Sequence, residues 1–163
     1  MKLSWIYRSE RVGKNGRAFS LYKFRTLKDG FRGQFATDDG YTRFGKFLRK
    51  TKLDELPQVL NWLKGDVALV GPRPELVEEV GVLPADVRKK ILSIKPGLTS
   101  LASIHFHDEE SLLKGSSATF DYYTKIKPLK ILLDMFYVEH RGFLLNIWIL
   151  YRTAVIVLKS IFA

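Results

Sequence analysis

The sequence contains no cysteine, which excludes disulfides and thiolate metal sites. It also lacks an uninterrupted apolar run of the roughly 18 to 20 residues that a membrane-spanning helix needs. Residues 1–17 are too polar for a secretion signal. No repeat or low-complexity tract divides the 163 residues, so we expect a single domain over 1–163 that is exposed to the cytosol.

Basic residues outnumber acidic ones, with 27 Lys and Arg against 17 Asp and Glu and a formal net charge of +10. This excess predicts attraction to anionic lipid, phosphorylated substrates or nucleic acid. Nucleic-acid binding rests on charge alone, because no recognition helix or aromatic platform can be identified in the sequence. We therefore expect no nucleic-acid partner.

The hydrophobic pattern predicts an α+β fold that is rich in helices and has a small β-hairpin or sheet. Strands are predicted over 3–8 and 18–27, around an Asn-Gly turn, and over 67–70 and 100–106, with a polar loop at 30–40. Helices are predicted over 42–50, 54–64, 76–94 (one or two helices), 117–137 and 142–163, with a short one starting at 108.

The helix predicted over 142–163 is amphipathic, and its apolar face is much wider than its polar face. Its polar residues recur about seven apart, which leaves a narrow polar stripe beside a wide apolar face. Such a helix suits a membrane interface. The alternative is a buried core helix with one solvated edge.

Asp54 and Glu55 form an acidic pair at the start of a predicted helix, and Asp is a common N-cap residue. A helix N-terminus favours an ionised carboxylate. An ionised Asp can attack a phosphorus centre, and a neighbouring Glu can hold a divalent cation. Helix capping alone is the structural alternative for this pair.

Basic side chains surround this pair in the sequence, and a rigid turn follows it. Guanidinium and ammonium groups suit contacts with phosphate. Two prolines around Arg73 fix the backbone and aim one side chain. The candidate phosphate-binding residues are Lys23, Arg25, Arg49 and Arg73, and the supporting residues are Gly71, Pro72 and Pro74.

Other chemistries have little support. His105 and His107 would share a face if 100–106 is a strand, but no third His or Cys ligand lies nearby in sequence. No Gly-x-Ser-x-Gly motif is present, which argues against acyl transfer.

Many ordered motifs resemble those of the bacterial sugar transferases, the monotopic polyprenyl-phosphate phosphoglycosyl transferases. In order along the chain they are YKFRT at 22–26, RFG at 43–45, LDELPQ at 53–58, Asn61, KGD at 64–66, VGPRP at 70–74, KPG at 95–97, DYY at 121–123 and YVEHR at 137–141.

The resemblance implies that one catalytic domain transfers a sugar phosphate from a UDP-sugar to undecaprenyl phosphate and releases UMP. It implies that Asp54 is the nucleophile of a covalent sugar-phosphate intermediate, that Glu55 holds Mg²⁺, and that Lys23, Arg49 and Arg73 contact phosphates. The implied place is the cytoplasmic face of the bacterial inner membrane, at the first membrane step of exopolysaccharide or lipopolysaccharide synthesis. A homodimer or glycan-assembly partners would be compatible with it.

Members of this family usually begin with a basic and apolar helix that dips into the membrane, and this chain is expected to start just after that segment. The competing hypothesis is a catalytically impaired homologue that acts as a basic module and binds a membrane or a partner. Residues 98–107 differ from the Gly-Trp-Ala-Gln form common in the family, so the resemblance does not identify the sugar.

Overall fold

A computed structural model describes residues 5–30, 40–113 and 118–162, and these adopt the predicted helix-rich α+β fold. The strands are β1 (Ile6–Val12), β2 (Ala18–Phe24), β3 (Ala68–Val70) and β4 (Gly97–Thr99). The α-helices are α1 (Arg43–Lys50), α2 (Val59–Leu63), α3 (Val77–Gly81), α4 (Ala85–Ile91), α5 (Leu101–His105), α6 (Glu109–Leu112), α7 (Ala118–Asp121), α8 (Lys127–His140) and α9 (Phe143–Phe162). A 3₁₀ helix (Leu53–Gln58) precedes α2, and a π-helical turn (Tyr122–Ile126) precedes α8.

Strands β1 and β2 form the predicted antiparallel hairpin, in a register that pairs Ile6 with Phe24 and Val12 with Ala18. The turn between them places Asn15 and Gly16 at positive φ, 57° and 80°, as an Asn-Gly sequence allows. Strand β1 continues to Val12, beyond the predicted end at residue 8, whereas β2 begins at Ala18 as predicted but ends at Phe24, before the predicted residue 27. Most of the predicted loop, residues 31–39, lies outside the described residues.

Helix α1 lies where the sequence pattern predicts it. The Thr42 hydroxyl accepts a hydrogen bond from the Gly45 N–H at 2.8 Å and caps the helix. The next helix differs from the prediction that Asp54 is its N-cap, because the 3₁₀ helix already begins at Leu53. Lys52, at φ 60°, takes the left-handed conformation and turns the chain sharply between the two helices, so Asp54 lies inside the first turn.

Strands β3 and β4 pair in parallel, with Ala68 opposite Gly97 and Val70 opposite Thr99. The prediction of a strand over 67–70 is confirmed. The strand predicted over 100–106 is wrong, because these residues include helix α5. The Ser100 hydroxyl accepts a hydrogen bond from the Ser103 N–H at 2.9 Å, and this cap starts the helix.

Helix α8 has a polar inner face and an apolar outer face. Its buried side chains recur at helical spacing and are Lys127, Lys130, Asp134 and Tyr137. Its exposed large side chains are Leu129, Leu132 and Phe136. This arrangement reverses the one expected for a helix on the surface of a soluble protein.

Helix α9 packs against the core through Ile149, which meets Val70, Ile94 and Tyr137. The rest of the helix is largely uncovered. Its length and composition would allow it to cross a membrane, and only 6% of its most apolar 18-residue window is buried. This low burial disfavours the alternative of a buried core helix.

We predict that Gly97→Ala destabilises the fold by at least about 2 kcal/mol. A Cβ at Gly97 would lie 2.1 Å from the Gly71 backbone nitrogen, so the β3–β4 pair would have to separate. Chemical denaturation provides the measurement. Gly81→Ala is the matched control, because a Cβ there meets nothing within 4 Å and its free energy of unfolding should stay within about 1 kcal/mol of wild type. Equal stability of the two variants would contradict the prediction.

Candidate active site

The acidic pair lies in the first turn of the 3₁₀ helix, where Asp54 is 7% exposed. The Lys23 Nζ, on β2, donates a hydrogen bond to the Glu55 Oε1 at 2.7 Å. The Arg73 Nη2, from the turn after β3, lies 3.6 Å from the same oxygen. The fold therefore brings together three predicted site segments that are far apart in sequence.

Glu55 is held in its ionised form by these cations. Burial alone would raise the pKa of Glu55, but the charges of Lys23 and Arg73 and the hydrogen bond from Lys23 outweigh it and lower the pKa to about 2. Glu55 therefore carries its negative charge throughout the physiological pH range.

Asp54 differs from Glu55 in its electrostatic surroundings. Burial and the adjacent Glu55 charge raise the pKa of Asp54, against the opposing charges of Lys23, Arg49 and Lys52. The position in the first turn of the helix therefore does not lower the pKa of Asp54 below its ordinary value, because desolvation is the largest effect. In the described part of the chain no hydrogen bond or ion pair engages the Asp54 carboxylate, whereas Glu55 is engaged twice.

The other two predicted cations lie apart from this contact. The Arg49 guanidinium stacks over the Tyr41 ring, with Cζ 4.9 Å from the centroid, and acts on Asp54 through its charge. Arg25 lies just beyond the end of β2 and pairs with the exposed Asp29 at 3.0 Å. The structure does not bring Arg25 to the acidic pair.

The turn that carries Arg73 is held tightly to β4. The Gly71 N–H donates to the Thr99 carbonyl oxygen at 3.1 Å, and the Pro72 carbonyl oxygen accepts from the Gly97 N–H at 2.9 Å. Gly71, Pro72 and Pro74 are all buried. Arg73 is thus directed at Glu55 by a backbone with little freedom.

A family model described as bacterial sugar transferase matches residues 1–160. The chain belongs to this family. It is 37% identical over 160 residues to EpsL of Bacillus subtilis, an uncharacterized sugar transferase, and the match covers 95% of this chain and 70% of EpsL.

Two other relatives have names that state an activity. One is the undecaprenyl-phosphate galactose phosphotransferase of Salmonella typhimurium, 33% identical over 94% of this chain and 33% of that protein. The other is the UDP-glucose:undecaprenyl-phosphate glucose-1-phosphate transferase of Xanthomonas campestris pv. campestris, 34% identical over 94% of this chain and 31% of that protein. This sugar transferase chain spans about a third of the length of these two relatives.

The two histidines of this sugar transferase chain do not form a shared face. His105 ends α5 and His107 follows it, so the strand geometry that would align them is absent. The His105 ring packs edge-on against Phe106, and the His107 Nδ1 lies 3.2 Å from the Ile104 carbonyl oxygen.

A buried charge network behind Arg73 was not predicted from the sequence. The Lys127 Nζ lies 3.1 Å from the Glu79 Oε2 and 3.9 Å from the Glu75 Oε2. The carboxyl groups of Glu75 and Glu79 share a hydrogen bond, and the pKa of Glu75 rises to about 7 because of burial, that hydrogen bond and the Glu79 charge. The one available signal was the helical spacing of polar residues along α8.

We predict that Glu75→Gln alters the pH dependence of stability. Between its ordinary pKa of 4.5 and about 7, folded Glu75 keeps a proton that the unfolded chain has released. Wild-type stability should therefore fall as pH rises through this window. Relative to the variant, we expect a loss of up to about 3 kcal/mol in the free energy of unfolding between about pH 5 and about pH 8.

Denaturant titrations over that pH range measure the effect. The control is Glu78→Gln, an exposed neighbour on α3 that removes the same charge. Parallel pH profiles of the wild type and Glu75→Gln would contradict the assignment of the raised pKa to Glu75.

Proposed function

We propose that the chain is a phosphoglycosyl transferase that moves a sugar phosphate from a UDP-sugar to undecaprenyl phosphate and releases UMP. The observation that carries this proposal is the contrast within the acidic pair. Within the described residues, Glu55 is engaged by two cations, whereas no hydrogen bond or ion pair engages the Asp54 carboxylate. The names of the Salmonella and Xanthomonas relatives supply the class of donor and acceptor.

In the first half-reaction, an Asp54 carboxylate oxygen attacks the phosphorus that bears the sugar. A new phosphorus–oxygen bond forms, the bridging bond to the UMP phosphate breaks, and UMP leaves with that electron pair. In the second, an oxygen of undecaprenyl phosphate attacks the same phosphorus and releases Asp54 as a carboxylate. The lipid then carries the sugar through a diphosphate.

The cations beside the pair serve both steps. Negative charge accumulates on the phosphoryl oxygens and on the leaving UMP, and fixed positive groups stabilise it. Lys23 and Arg73 lie within 4 Å of the Glu55 carboxylate and so stand next to the reacting Asp54. Arg49 adds a further charge that acts on Asp54.

Mg²⁺ is the cofactor we propose. It is commonly bound through one or two carboxylates together with substrate phosphates. Within residues 5–30, 40–113 and 118–162 there is no cluster of three His, Cys, Asp or Glu, which suits this mode better than an all-protein cage. Because Lys23 and Arg73 both contact Oε1 of Glu55, Oε2 is the atom that would hold the ion. A bound Mg²⁺ would supply charge that neutralises the diphosphate.

We infer that the chain works at the cytoplasmic face of the membrane, with α9 lying in the interface. Large apolar side chains on α9 are exposed on one helical face, at Leu144, Ile147, Tyr151 and Leu158. The outer face of α8 adds further exposed apolar residues. Together with the net charge of +10, these faces suit an anionic lipid surface.

We expect Asp54→Asn to abolish UMP release, because the amide cannot act as the nucleophile while its shape preserves the fold. The assay combines the protein with a panel of UDP-sugars, Mg²⁺ and undecaprenyl phosphate. Asp86→Asn, an exposed residue in the first turn of α4, is the matched control and should keep wild-type activity. Near-wild-type turnover of Asp54→Asn would exclude Asp54 as the nucleophile.

The covalent intermediate has its own test, in which donor is supplied without acceptor. Intact mass spectrometry of wild type should show an added sugar phosphate, and a peptide map should place it on Asp54. An adduct on another residue would refute the assignment.

Leu144→Glu should reduce vesicle binding at least about tenfold, because burial of one leucine side chain is worth roughly 1.5–3 kcal/mol. Flotation with anionic phospholipid vesicles measures the bound fraction. Val82→Glu is the matched control, since Val82 is 80% exposed and Leu144 is 82% exposed, but Val82 lies away from α9. A similar loss in both variants would mean that charge, and not the α9 face, determines binding.

A further inference from the structure

Asn61, on α2, has a side chain with no solvent exposure. Its Oδ1 accepts a hydrogen bond from the Tyr22 N–H at 3.1 Å. Its Nδ2 donates to the Ser20 carbonyl oxygen at 2.7 Å and to the Asp66 Oδ2 at 3.1 Å. The oxygen and the NH₂ group of the carboxamide are therefore both hydrogen-bonded inside the protein.

Two of these partners, Ser20 and Tyr22, lie on the edge of β2 that β1 does not cover. In a strand, the carbonyl of one residue and the N–H of the residue two positions later point to the same side. Ser20 and Tyr22 offer such a pair, and the Asn61 side chain meets it as the peptide group of a third strand would. In the described ranges no third strand pairs with this edge, and the Asn61 side chain makes two of the hydrogen bonds that such a strand would make.

The orientation of the amide is fixed by Asp66. With Nδ2 between the Ser20 carbonyl oxygen and the Asp66 carboxylate, the flipped amide would set Oδ1 against two acceptors. The Asp66 N–H also donates to the Asn61 carbonyl oxygen at 2.9 Å. The side chain and backbone of Asn61 are consequently held in one arrangement.

The two segments that Asn61 joins carry the principal charged contact of the site. Lys23 immediately follows Tyr22 on β2, and Glu55 lies on the 3₁₀ helix that runs directly into α2, where Asn61 stands. We propose that Asn61 is a positioning residue that fixes β2 against this helix, and thereby sets the Lys23 ammonium on Glu55 beside Asp54. This inference rests on the proposed function.

Such a clamp matters because lysine is flexible. Its four-carbon stem does not by itself hold an ammonium group at one position. A displacement of about 1 Å at a catalytic group can cost on the order of a hundredfold in rate. The backbone of β2 must therefore be fixed if the 2.7 Å contact is to persist during turnover.

The test uses Asn61→Asp, which keeps the shape but cannot donate to the Ser20 carbonyl oxygen. We expect kcat for UMP release to fall at least about tenfold. The control is Thr153→Val, which removes two partly buried hydrogen bonds of α9, one with the Thr99 hydroxyl at 2.7 Å and one to the Ile149 carbonyl oxygen at 2.8 Å, and should change kcat less than about twofold. Circular dichroism shows whether each variant is folded at the assay temperature, and Asn61→Ser replaces Asn61→Asp if the latter is not.

A double-mutant cycle with Lys23→Arg separates positioning from a general loss of stability. Arg cannot reproduce the single short contact of Lys23 with Glu55, so both single variants disturb the same contact. The double variant should lose little more activity than the worse single variant. Additive losses, a kcat loss no greater than that of Thr153→Val, or unfolding of every Asn61 variant would each overturn the proposal.

Hydrogen exchange supplies a readout that does not need activity. The Tyr22 amide should lose protection in Asn61→Ser, whose shorter side chain removes the acceptor oxygen that Asn61→Asp retains, whereas the Gly71 amide, bonded to Thr99, should keep it. Unchanged Tyr22 protection would also overturn the proposal. Wild type that releases no UMP from any donor contradicts the proposed function itself, whereas an active wild type with an unaffected Asn61→Asp variant contradicts only the positioning role.

Discussion

The ion pair between Lys23 and Glu55 is the contact around which the candidate site is organised. It joins the hairpin to the 3₁₀ helix, and Arg73 brings the turn after β3 to the same carboxylate oxygen. Since Lys23 and Arg73 share the Glu55 carboxylate, a shift of any of these segments changes the electrostatic field at Asp54. The Asn61 carboxamide is hydrogen-bonded to β2, and the close approach of Gly71 to Gly97 packs the turn after β3 against β4.

Local signals in the sequence were sufficient for much of this arrangement. The Asn-Gly turn predicted the hairpin, and the spacing of apolar residues predicted α1. The residue types around the acidic pair predicted that Lys23 and Arg73 lie near it, and both contact Glu55. Arg25 lies two residues after Lys23 and would share its face if the strand predicted over 18–27 were complete, but β2 ends at Phe24.

What the sequence pattern did not predict has one local cause and one non-local cause. Residues 100–106 have the apolar content of a strand, and a single hydroxyl at Ser100 starts a helix instead. A polar stripe on α8 would ordinarily be taken for a solvated face. Lys127 is buried beside the carboxylates of Glu75 and Glu79, which are far away in sequence. The local sequence pattern around Lys127 does not predict these ion pairs.

The close approach of Gly71 and Gly97 also constrains the order of assembly. The turn that aims Arg73 is complete only when the backbone of β4 has arrived, because the Gly71 N–H needs the Thr99 carbonyl and the Gly97 N–H needs the Pro72 carbonyl. Long sequence separation makes such pairings slow to form. Since the acidic pair precedes β4 by about forty residues in the chain, it leaves the ribosome before the strand that completes the Arg73 turn, and the candidate site can be complete only after β4 has been made.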